Sequence, residues 1–413
     1  MTSASTTTAL VAEVDEILPG VVADRRWLHE HPELGFHETE TAAFVLQRLE
    51  ALGVEDIRTG VGGTGVTALV RGTRPSDGPG KVLMLRADMD ALPILEANQT
   101  EYASKTPGVM HACGHDAHTA MLLATARLLM ERRDEFSGTV KLLFQPAEEA
   151  HPGGAIGMIR DGALEHPHVD ASLGLHVMSD VPTGVIGVQE TFGTANSDRF
   201  TIHVQGKGGH ASAPHETVDP VILGSHIIVA LQNLVSRETD PMEPAVLSVT
   251  ANLAGEAFNV IPDSAEIRGT VRTYSDAVQD HLERRMGEVA AGVAQALGGS
   301  ATLDYRRGYP CLPNDATMAG IVREAAIDVV GEEQVFTPPM GMGGEDYAYF
   351  ARAVPSCFFW VGVKNAEKGF DWPHHHPRFD IDEDGMAAGI ATMVAASIRY
   401  LGEERGERKE ERG

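Results

Sequence analysis

The sequence predicts an α/β fold in which a mixed, mostly parallel sheet is flanked by helices and interrupted by a smaller α+β domain. Short continuous apolar runs alternate with helical stretches, which is typical of buried strands in βαβ units. A central stretch instead has the order β-α-β-β-α-β, which is the ferredoxin-like pattern. The 413 residues are enough for two or three such domains.

Two sets of elements build the predicted larger domain. Continuous apolar runs predict buried strands at 82–85, 139–144, 171–175 and 356–363. Apolar residues at helical spacing predict helices at 118–133, 315–330 and 383–401. The strand, helix, strand order of the first three predicts a largely parallel sheet.

The inserted domain has alternating strand patterns in place of continuous apolar runs. Its predicted elements lie, in chain order, at 200–204, 218–236, 245–253, 265–273, 277–297 and 301–306. The chain is therefore divided into a catalytic part at 9–188, an inserted domain at 189–306, a second catalytic part at 307–401 and a disordered tail at 402–413. The tail is almost entirely charged residues and glycine.

Composition excludes several classes of partner. With 33 basic and 59 acidic residues, the formal net charge is −26. Such a chain is not expected to bind nucleic acid or an anionic membrane surface, because both need clustered Lys and Arg. No apolar stretch approaches the ~18 residues of a spanning helix. Three cysteines are too few for a disulfide framework, which favours a reducing, cytoplasmic location.

Polar residues follow each of the first three predicted strands. Asp88 and Asp90 follow the first, Glu148 and Glu149 the second, and His176 the third. Because the carboxyl ends of parallel strands meet at one edge of a sheet, these side chains are expected to converge there. Each feature alone has a simpler explanation, such as a solvated acidic turn for the glutamate pair. Together they predict a site.

The segment H-A-C-G-H-D at 111–116 adds metal-ligand chemistry. Cys113 and His115 stand two residues apart, and Gly114 lets the backbone turn so that both side chains can reach one centre. Thiolate and imidazole together suit a borderline transition metal. Taken alone, the triplet could equally be a buried cysteine beside a solvent-facing histidine. The run P-H-H-H-P at 373–377 supplies further imidazoles or, alone, a polar surface loop.

Nine segments carry a family resemblance along nearly the whole chain. They are H-E-H-P-E-L-G-F at 29–36, R-A-D-M-D-A-L-P at 86–93, H-A-C-G-H-D at 111–116, Q-P-A-E-E at 145–149, G-L-H at 174–176, G-K-G-G-H-A-S at 206–212, N-V-I-P at 259–262, M-G-G-E-D at 342–346 and H-H-P at 375–377. With them the chain resembles the M20 metallopeptidase superfamily. It is most similar to the amidohydrolase branch, which includes aminoacylases, hippurate hydrolases and auxin-conjugate hydrolases. The first segment matches the family but carries no assigned chemistry.

The resemblance implies a zinc-peptidase-like catalytic domain with two divalent metal ions. Cys113 would bridge both ions. His115 and His176 would complete the protein ligands of one ion, and Glu149 and His375 those of the other. His375 is chosen from the triple histidine because the family pattern reads His-x-Pro. The donor set admits Zn, Mn, Co or Ni.

The resemblance also implies the roles of four further residues. Glu148 would be the general base. His210, in the inserted lid and dimerisation domain, would stabilise the oxyanion in the partner subunit's site, which implies a homodimer or a higher homo-oligomer. Asn259 and Arg272 would bind the substrate carboxylate. Independently, the period of two in a strand places Arg268 and Arg272 on one face.

The implied reaction is hydrolysis of an N-acyl-L-amino acid, such as an N-acetyl or N-benzoyl derivative, to a carboxylate and a free amino acid. Alternatives are an M20 dipeptidase or carboxypeptidase, an N-acetyldiaminopimelate deacetylase and a catalytically silent metal-binding scaffold. Cys113 favours the amidohydrolase branch, because the peptidase branches generally carry Asp at that place. The sequence specifies neither the acyl group nor the native metal.

Overall fold

The computed structural model describes residues 4–402 apart from residues 77 and 79, so nearly all of the predicted disordered tail at 402–413 lies outside the described residues. The helices are α1 Ala4–Glu30, α2 Thr39–Leu52, α3 His115–Glu131, α4 Gly154–Arg160, α5 Pro220–Asn233, α6 Asp276–Ala296, α7 Ala316–Val330, α8 Ala348–Ala351 and α9 Met386–Gly402.

The strands follow the same chain order. They are β1 Glu55–Val61, β2 Gly65–Arg71, β3 Val82–Asp88, β4 Thr139–Gln145, β5 Ala171–Pro182, β6 Ile186–Val188, β7 Phe192–Thr194, β8 Asp198–Gln205, β9 Gly209–His210, β10 Ala245–Leu253, β11 Val260–Ile261, β12 Ser264–Thr273, β13 Ser300–Arg306, β14 Leu312–Pro313, β15 Val335–Phe336 and β16 Ser356–Lys364.

The larger of two compact units comprises Met1–Gly193, Pro313–Met340 and Tyr349–Gly413. Among its described residues, eight strands form one sheet in the order β1-β2-β4-β3-β5-β16-β6-β15. Strand β3 is parallel to both β4 and β5, and β5 is parallel to β16. The predicted α/β fold with a mixed, mostly parallel sheet is confirmed.

The central strands of this sheet are buried on both faces. Every residue of β3 is buried, as a continuous apolar run in a parallel sheet requires. Helices α1, α3, α7 and α9 contribute to the same hydrophobic core. The sequence patterns did not predict α1, α2, β1 or β2. Helix α1 does carry an apolar stripe, since Leu10, Val14, Ile17 and Val21 are buried in this core, but Pro19 within it argues against a helix in the sequence.

The smaller unit comprises Thr194–Leu312 and Gly341–Ala348. Its four-stranded antiparallel sheet has the order β10-β12-β8-β13, which a β-α-β-β-α-β chain forms in the ferredoxin-like arrangement. Ile267 and Val271 of β12 are buried in a core with α5 and α6. The alternate residues Arg268 and Arg272 lie on the opposite face, as the strand period predicts.

The smaller unit runs from Thr194 to Leu312, where the sequence analysis placed the inserted domain at 189–306, and it has one further segment. Residues Gly341–Ala348, which the sequence analysis assigned to the second catalytic part, return to it. Ala195 donates its N–H to the Gly343 carbonyl at 3.0 Å, and the Tyr274 hydroxyl donates to the Gly341 carbonyl. These contacts are long-range in sequence.

Within the described residues, no helix is both long enough and apolar enough to cross a membrane.

Candidate metal centre

The turn between Cys113 and His115 depends on a glycine. Gly114 has a φ of 95° and directly precedes α3. A Cβ at this position would lie 2.3 Å from Cγ2 of Val177, which is far inside van der Waals contact. Any other residue would therefore clash with β5 and would be strained in this conformation. The turn presents Cys113 and His115 towards the carboxyl end of the sheet.

His115 is buried, and its ring orientation is fixed by the backbone. Its Nδ1 lies 2.9 Å from the carbonyl oxygen of Asp90, so Nδ1 carries the proton that donates to that oxygen. Nε2 then holds the lone pair. This buried Nε2 has no hydrogen-bond partner among the described residues. A buried nitrogen left without a partner is costly, and a metal ion would satisfy it.

His176 faces Cys113 from within β5. The sequence predicted a strand ending at Leu175, but pairing with β16, where Trp360 opposes His176, extends the strand to Pro182. Nδ1 of His176 donates to the Val177 carbonyl at 2.7 Å. The lone pair of the ring is therefore on Nε2, which lies 3.4 Å from Sγ of Cys113.

Glu149 and His375 form the other side of the centre. Nε2 of His375 lies 3.0 Å from Oε1 of Glu149. The backbone N–H of His375 donates to the Ala112 carbonyl at 2.7 Å, which ties the histidine loop to the Cys113 turn. His375 itself has a φ of 63°, a conformation that side chains other than glycine rarely adopt.

The two neighbouring histidines have other surroundings. His374 is largely buried against His176, with ring centroids 5.3 Å apart, and its Nε2 faces the backbone N–H of Ser179. The His376 ring stacks on Trp372 at 4.3 Å. The geometry therefore brings His375, and not its neighbours, to Glu149 and Cys113.

The ligand atoms fall into two groups that share one thiol. Within each group all ligand atoms lie within 4.8 Å of one another. The groups are Cys113, His115 and His176, and Cys113, Glu149 and His375. The members of these two groups are the residues that the sequence analysis named as candidate ligands, and their binding of metal stays a prediction. Cys113 belongs to both.

Asp88, by contrast, is occupied by protein partners. Its Oδ1 accepts from Nδ1 of His118 at 2.6 Å, and its Oδ2 accepts from the Arg86 guanidinium at 2.6 Å. The Nε2 of His118 accepts the Val177 N–H at 3.0 Å. Asp88 and His118 therefore link strand β3 to strand β5 through hydrogen bonds. The contact that orients His115 comes from the Asp90 carbonyl.

The carboxylate of Asp90 organises the glutamate pair. Its two oxygens accept the backbone N–H groups of Glu148 and Glu149, each at 2.9 Å. Glu148 is largely buried, and its Oε2 lies 4.0 Å from Nε2 of His115. Glu148 is thus held beside the ligand groups. Sequence reasoning treated Asp90 only as a supporting residue, because hydrogen bonds across 58 residues leave no local pattern.

The electrostatics of the centre favour a cation. Burial and the carboxylates of Glu149 and Glu148 raise the pKa of the Cys113 thiol well above its ordinary value. Burial alone lowers the pKa of His115, but the nearby carboxylates of Asp88 and Asp90 outweigh it and raise that pKa to about 10. The carboxylates contribute to both shifts, on top of the effect of burial, and they give the centre a negative potential. A bound divalent cation would offset that potential and stabilise the thiolate.

His176 is already in the form that binds metal. Burial and the neighbouring His118 lower its pKa well below the ordinary value, so the ring is neutral. A soft thiolate, neutral imidazoles and a carboxylate within one cluster are the donors that borderline divalent metals prefer. The residues present therefore fit a metal centre.

Two further predicted site residues lie together in the smaller unit. Strand β9 pairs with β11, and the carbonyl of Asn259 accepts the N–H of Ala211, next to His210. Nδ1 of His210 accepts the backbone N–H of Ser212 at 3.1 Å. The neutral ring must therefore carry its proton on Nε2. Since His210 is exposed, this N–H is available as a donor.

Arg272 is half-buried on the sheet face opposite the helices. Its Nη1 donates to neutral oxygens, the Thr270 hydroxyl and the carbonyls of Val271 and Asp198. Burial lowers its pKa from the ordinary value, although the residue remains a cation. No carboxylate among the described residues forms an ion pair with it. An unpaired guanidinium of this kind suits an anionic ligand.

Two ligand groups that share one donor atom would hold two metal ions side by side, which is the arrangement of two-metal hydrolases. The sequence model of peptidase family M20/M25/M40 matches residues 84–399. An N-acetyl-L-cysteine deacetylase of Bacillus subtilis is 42% identical over 92% of this chain and 88% of its own. Thermostable carboxypeptidase 2 of Saccharolobus solfataricus is 38% identical over 94% of this chain and 97% of its own.

The structural comparison agrees. The crystal structure of Bacillus subtilis YXEP, described as a dinuclear metal-binding peptidase of the M20 family, superposes with a TM-score of 0.81. The two chains are 36% identical, and the match covers 94% of this chain and 99% of the other. This chain belongs to the M20/M25/M40 peptidase family, and within it to the amidohydrolase branch.

Proposed function

We propose that this chain is a metal-dependent amidohydrolase that cleaves N-acyl-L-amino acids to a carboxylate and a free amino acid. The observation that carries the proposal is the cluster around Cys113, where one thiol belongs to both ligand groups and Glu148 lies beside them. The similarity to a deacetylase of an N-acetyl amino acid supports the substrate class.

Cys113, His115 and His176 would hold one divalent cation, and Cys113, Glu149 and His375 the other. Zn, Mn, Co and Ni all suit these donors. When bound, the cations supply a lowered pKa for water and charge stabilisation for a carbonyl oxygen. They also supply local positive charge where an anionic substrate must bind, in a chain whose net charge is −26.

Glu148 performs the proton transfers. It accepts the proton of the attacking water and delivers it to the leaving nitrogen, which completes the cleavage of the amide bond. Its carboxylate is suited to both steps because the backbone at Glu148 is held by Asp90 and because its side chain is largely shielded from bulk water. His210, through Nε2–H, donates to the developing oxyanion. Arg272 and Asn259 bind the carboxylate of the amino acid.

A homodimer would supply His210 from the partner subunit. Apolar side chains on the smaller unit are exposed, namely Ile222 and Val229 of α5 at 52% and 69%, and Leu253 of the edge strand β10 at 50%. Exposed apolar residues and an open strand edge are features of an interface. A second copy of this chain is the proposed partner. No disulfide links the cysteines of the described residues, which supports a cytoplasmic location.

Subunit complementation tests this arrangement. Co-expressed Glu148→Gln and His210→Ala chains are expected to recover about a quarter of wild-type activity, since half of the dimers are mixed and one of their two sites is intact. Each variant alone is expected to be nearly inactive. The arrangement is wrong if the mixed preparation shows only the sum of the two single variants, or if the protein sediments as a monomer.

A substrate panel tests the reaction. Protein stripped of metal and reloaded with each of Zn, Mn, Co and Ni is expected to hydrolyse N-acetyl and N-benzoyl amino acids with a higher kcat/KM than dipeptides, C-terminally extended peptides or N-acetyldiaminopimelate. The 38% identity to a carboxypeptidase makes peptide hydrolysis the second candidate. Preference for peptides would establish that alternative. Full metal loading without hydrolysis of any compound would point to a catalytically silent scaffold.

A further inference from the structure

The segment from His29, in the last turn of α1, to Glu38, just before α2, includes a family pattern with no assigned chemistry, and it contacts the loops of the metal centre. Nδ1 of His29 lies 2.7 Å from the carboxylate of Asp116, the residue that follows His115. The carbonyl of Glu33 accepts the N–H of Ala91, next to Asp90, at 2.8 Å. The segment therefore packs behind the loops that carry the ligands.

Glu38 is the residue just before α2, but its side chain does not cap that helix. It occupies the N-cap of α2, where a short polar side chain such as Ser, Thr, Asp or Asn ordinarily accepts the free N–H groups of the helix. Here Glu33 does so instead, by accepting the N–H groups of Glu40 and Thr41 at 3.1 and 2.8 Å. The carboxylate of Glu38 is fully buried. Burying a carboxylate is costly unless its hydrogen bonds are satisfied.

The buried carboxylate of Glu38 meets the glutamate loop. Its Oε1 accepts the backbone N–H of Ala147 at 2.8 Å, and its Oε2 accepts the hydroxyl of Thr64. Asp90 accepts the next two N–H groups, those of Glu148 and Glu149. Two buried carboxylates thus hold three consecutive peptide groups of one loop.

Ala147 is the residue at which this support matters most. It has a φ of 55°, in the left-handed region that residues with a Cβ rarely occupy. It is fully buried, so no water can replace a lost partner of its N–H. Without the Glu38 contact, the peptide is free to relax towards an ordinary conformation. That relaxation would rotate the following residue, Glu148, away from its place beside His115.

We propose that Glu38 is a positioning residue that sets the direction of Glu148 by accepting the N–H of Ala147. The proposal rests on the proposed function of Glu148 as the general base. It assigns a role to the H-E-H-P-E-L-G-F segment and to the residues that follow it. The ligand Glu149 lies one peptide further along and keeps both its Asp90 contact and its His375 contact. Loss of the Glu38 contact therefore affects the base more than the metal.

Two substitutions of Glu38 separate hydrogen bonding from packing. Glu38→Leu keeps the volume but removes the acceptor, and is expected to lower kcat about 10- to 100-fold. KM is expected to stay within about threefold of wild type, and metal content to stay unchanged. Glu38→Gln retains an acceptor oxygen and is expected to restore most of the activity. Glu40→Gln removes a charge from the same helix end, where it is exposed, and is the control.

The outcomes distinguish this proposal from the proposed function. Absence of amide hydrolysis in the wild-type protein would refute the function itself. If the wild type is active and Glu38→Leu has the same kcat as the control Glu40→Gln, the positioning role is refuted. The role is also refuted if Glu38→Leu loses activity because it has lost metal. If Glu38→Leu fails to fold, Thr64→Val takes its place. This substitution removes only the hydrogen bond to Oε2 of Glu38, and it is expected to lower kcat with KM unchanged. A wild-type kcat in Thr64→Val would then refute the role.

Discussion

Glu148→Gln is expected to keep the full metal content of the protein and to lower kcat by about 100- to 10,000-fold. The amide has nearly the shape of the carboxylate but cannot accept the proton of the attacking water. The backbone N–H at this position, which Asp90 accepts, is unchanged by the substitution. The structural support of the loop should therefore survive, and the chemical step alone should fail.

The measurements are steady-state kinetics on an N-acyl amino acid together with metal analysis of the same preparation. Glu165→Gln is a suitable control, because Glu165 is exposed in the same unit and its carboxylate pairs only loosely with His168. The control is expected to retain wild-type kcat. Near-wild-type turnover in Glu148→Gln would remove Glu148 as the general base.

Cys113→Ala is expected to weaken the binding of both metal ions by at least about 100-fold and to abolish activity. The reason is that its thiol is common to both ligand groups, so one substitution takes a donor from each. Removing the ligand also leaves the negative potential of Asp88, Asp90, Glu148 and Glu149 without a cation. By contrast, His375→Ala removes a donor from only one group.

Isothermal titration of the stripped protein with Zn or Mn measures this effect. The matched control is Cys357→Ala, which removes another buried thiol of the same unit that belongs to neither ligand group. Its metal binding is expected to equal that of the wild type. Two ions bound to Cys113→Ala with unchanged affinity would show that Cys113 is not a shared ligand.

The candidate ligands could be named from the sequence because each of them is part of a local pattern. Two such patterns can be recognised in the sequence without a structure. One is Gly114 between Cys113 and His115, and the other is the polar residues that follow β3 and β4. The length of β5 could not be predicted, because its extension past Leu175 depends on β16, which is distant in the chain. Likewise, the return of Gly341–Ala348 to the smaller unit depends on contacts with Ala195 and Tyr274.

The supporting contacts of the centre were beyond the reach of sequence reasoning for the same reason. Glu38 and Ala147 are 109 residues apart, and nothing local in the sequence links the two. The buried contact of Asp88 with His118 likewise joins residues of different elements. Candidate ligands could be proposed from local patterns, whereas the contacts that support them are visible only in the fold.

Anomalous diffraction from crystals of the protein loaded with Zn or Mn would locate the bound metal ions. We expect two metal peaks that share Sγ of Cys113. One would be completed by His115 and His176, and the other by Glu149 and His375. A single peak, or two peaks of which only one contacts Cys113, would contradict this expectation.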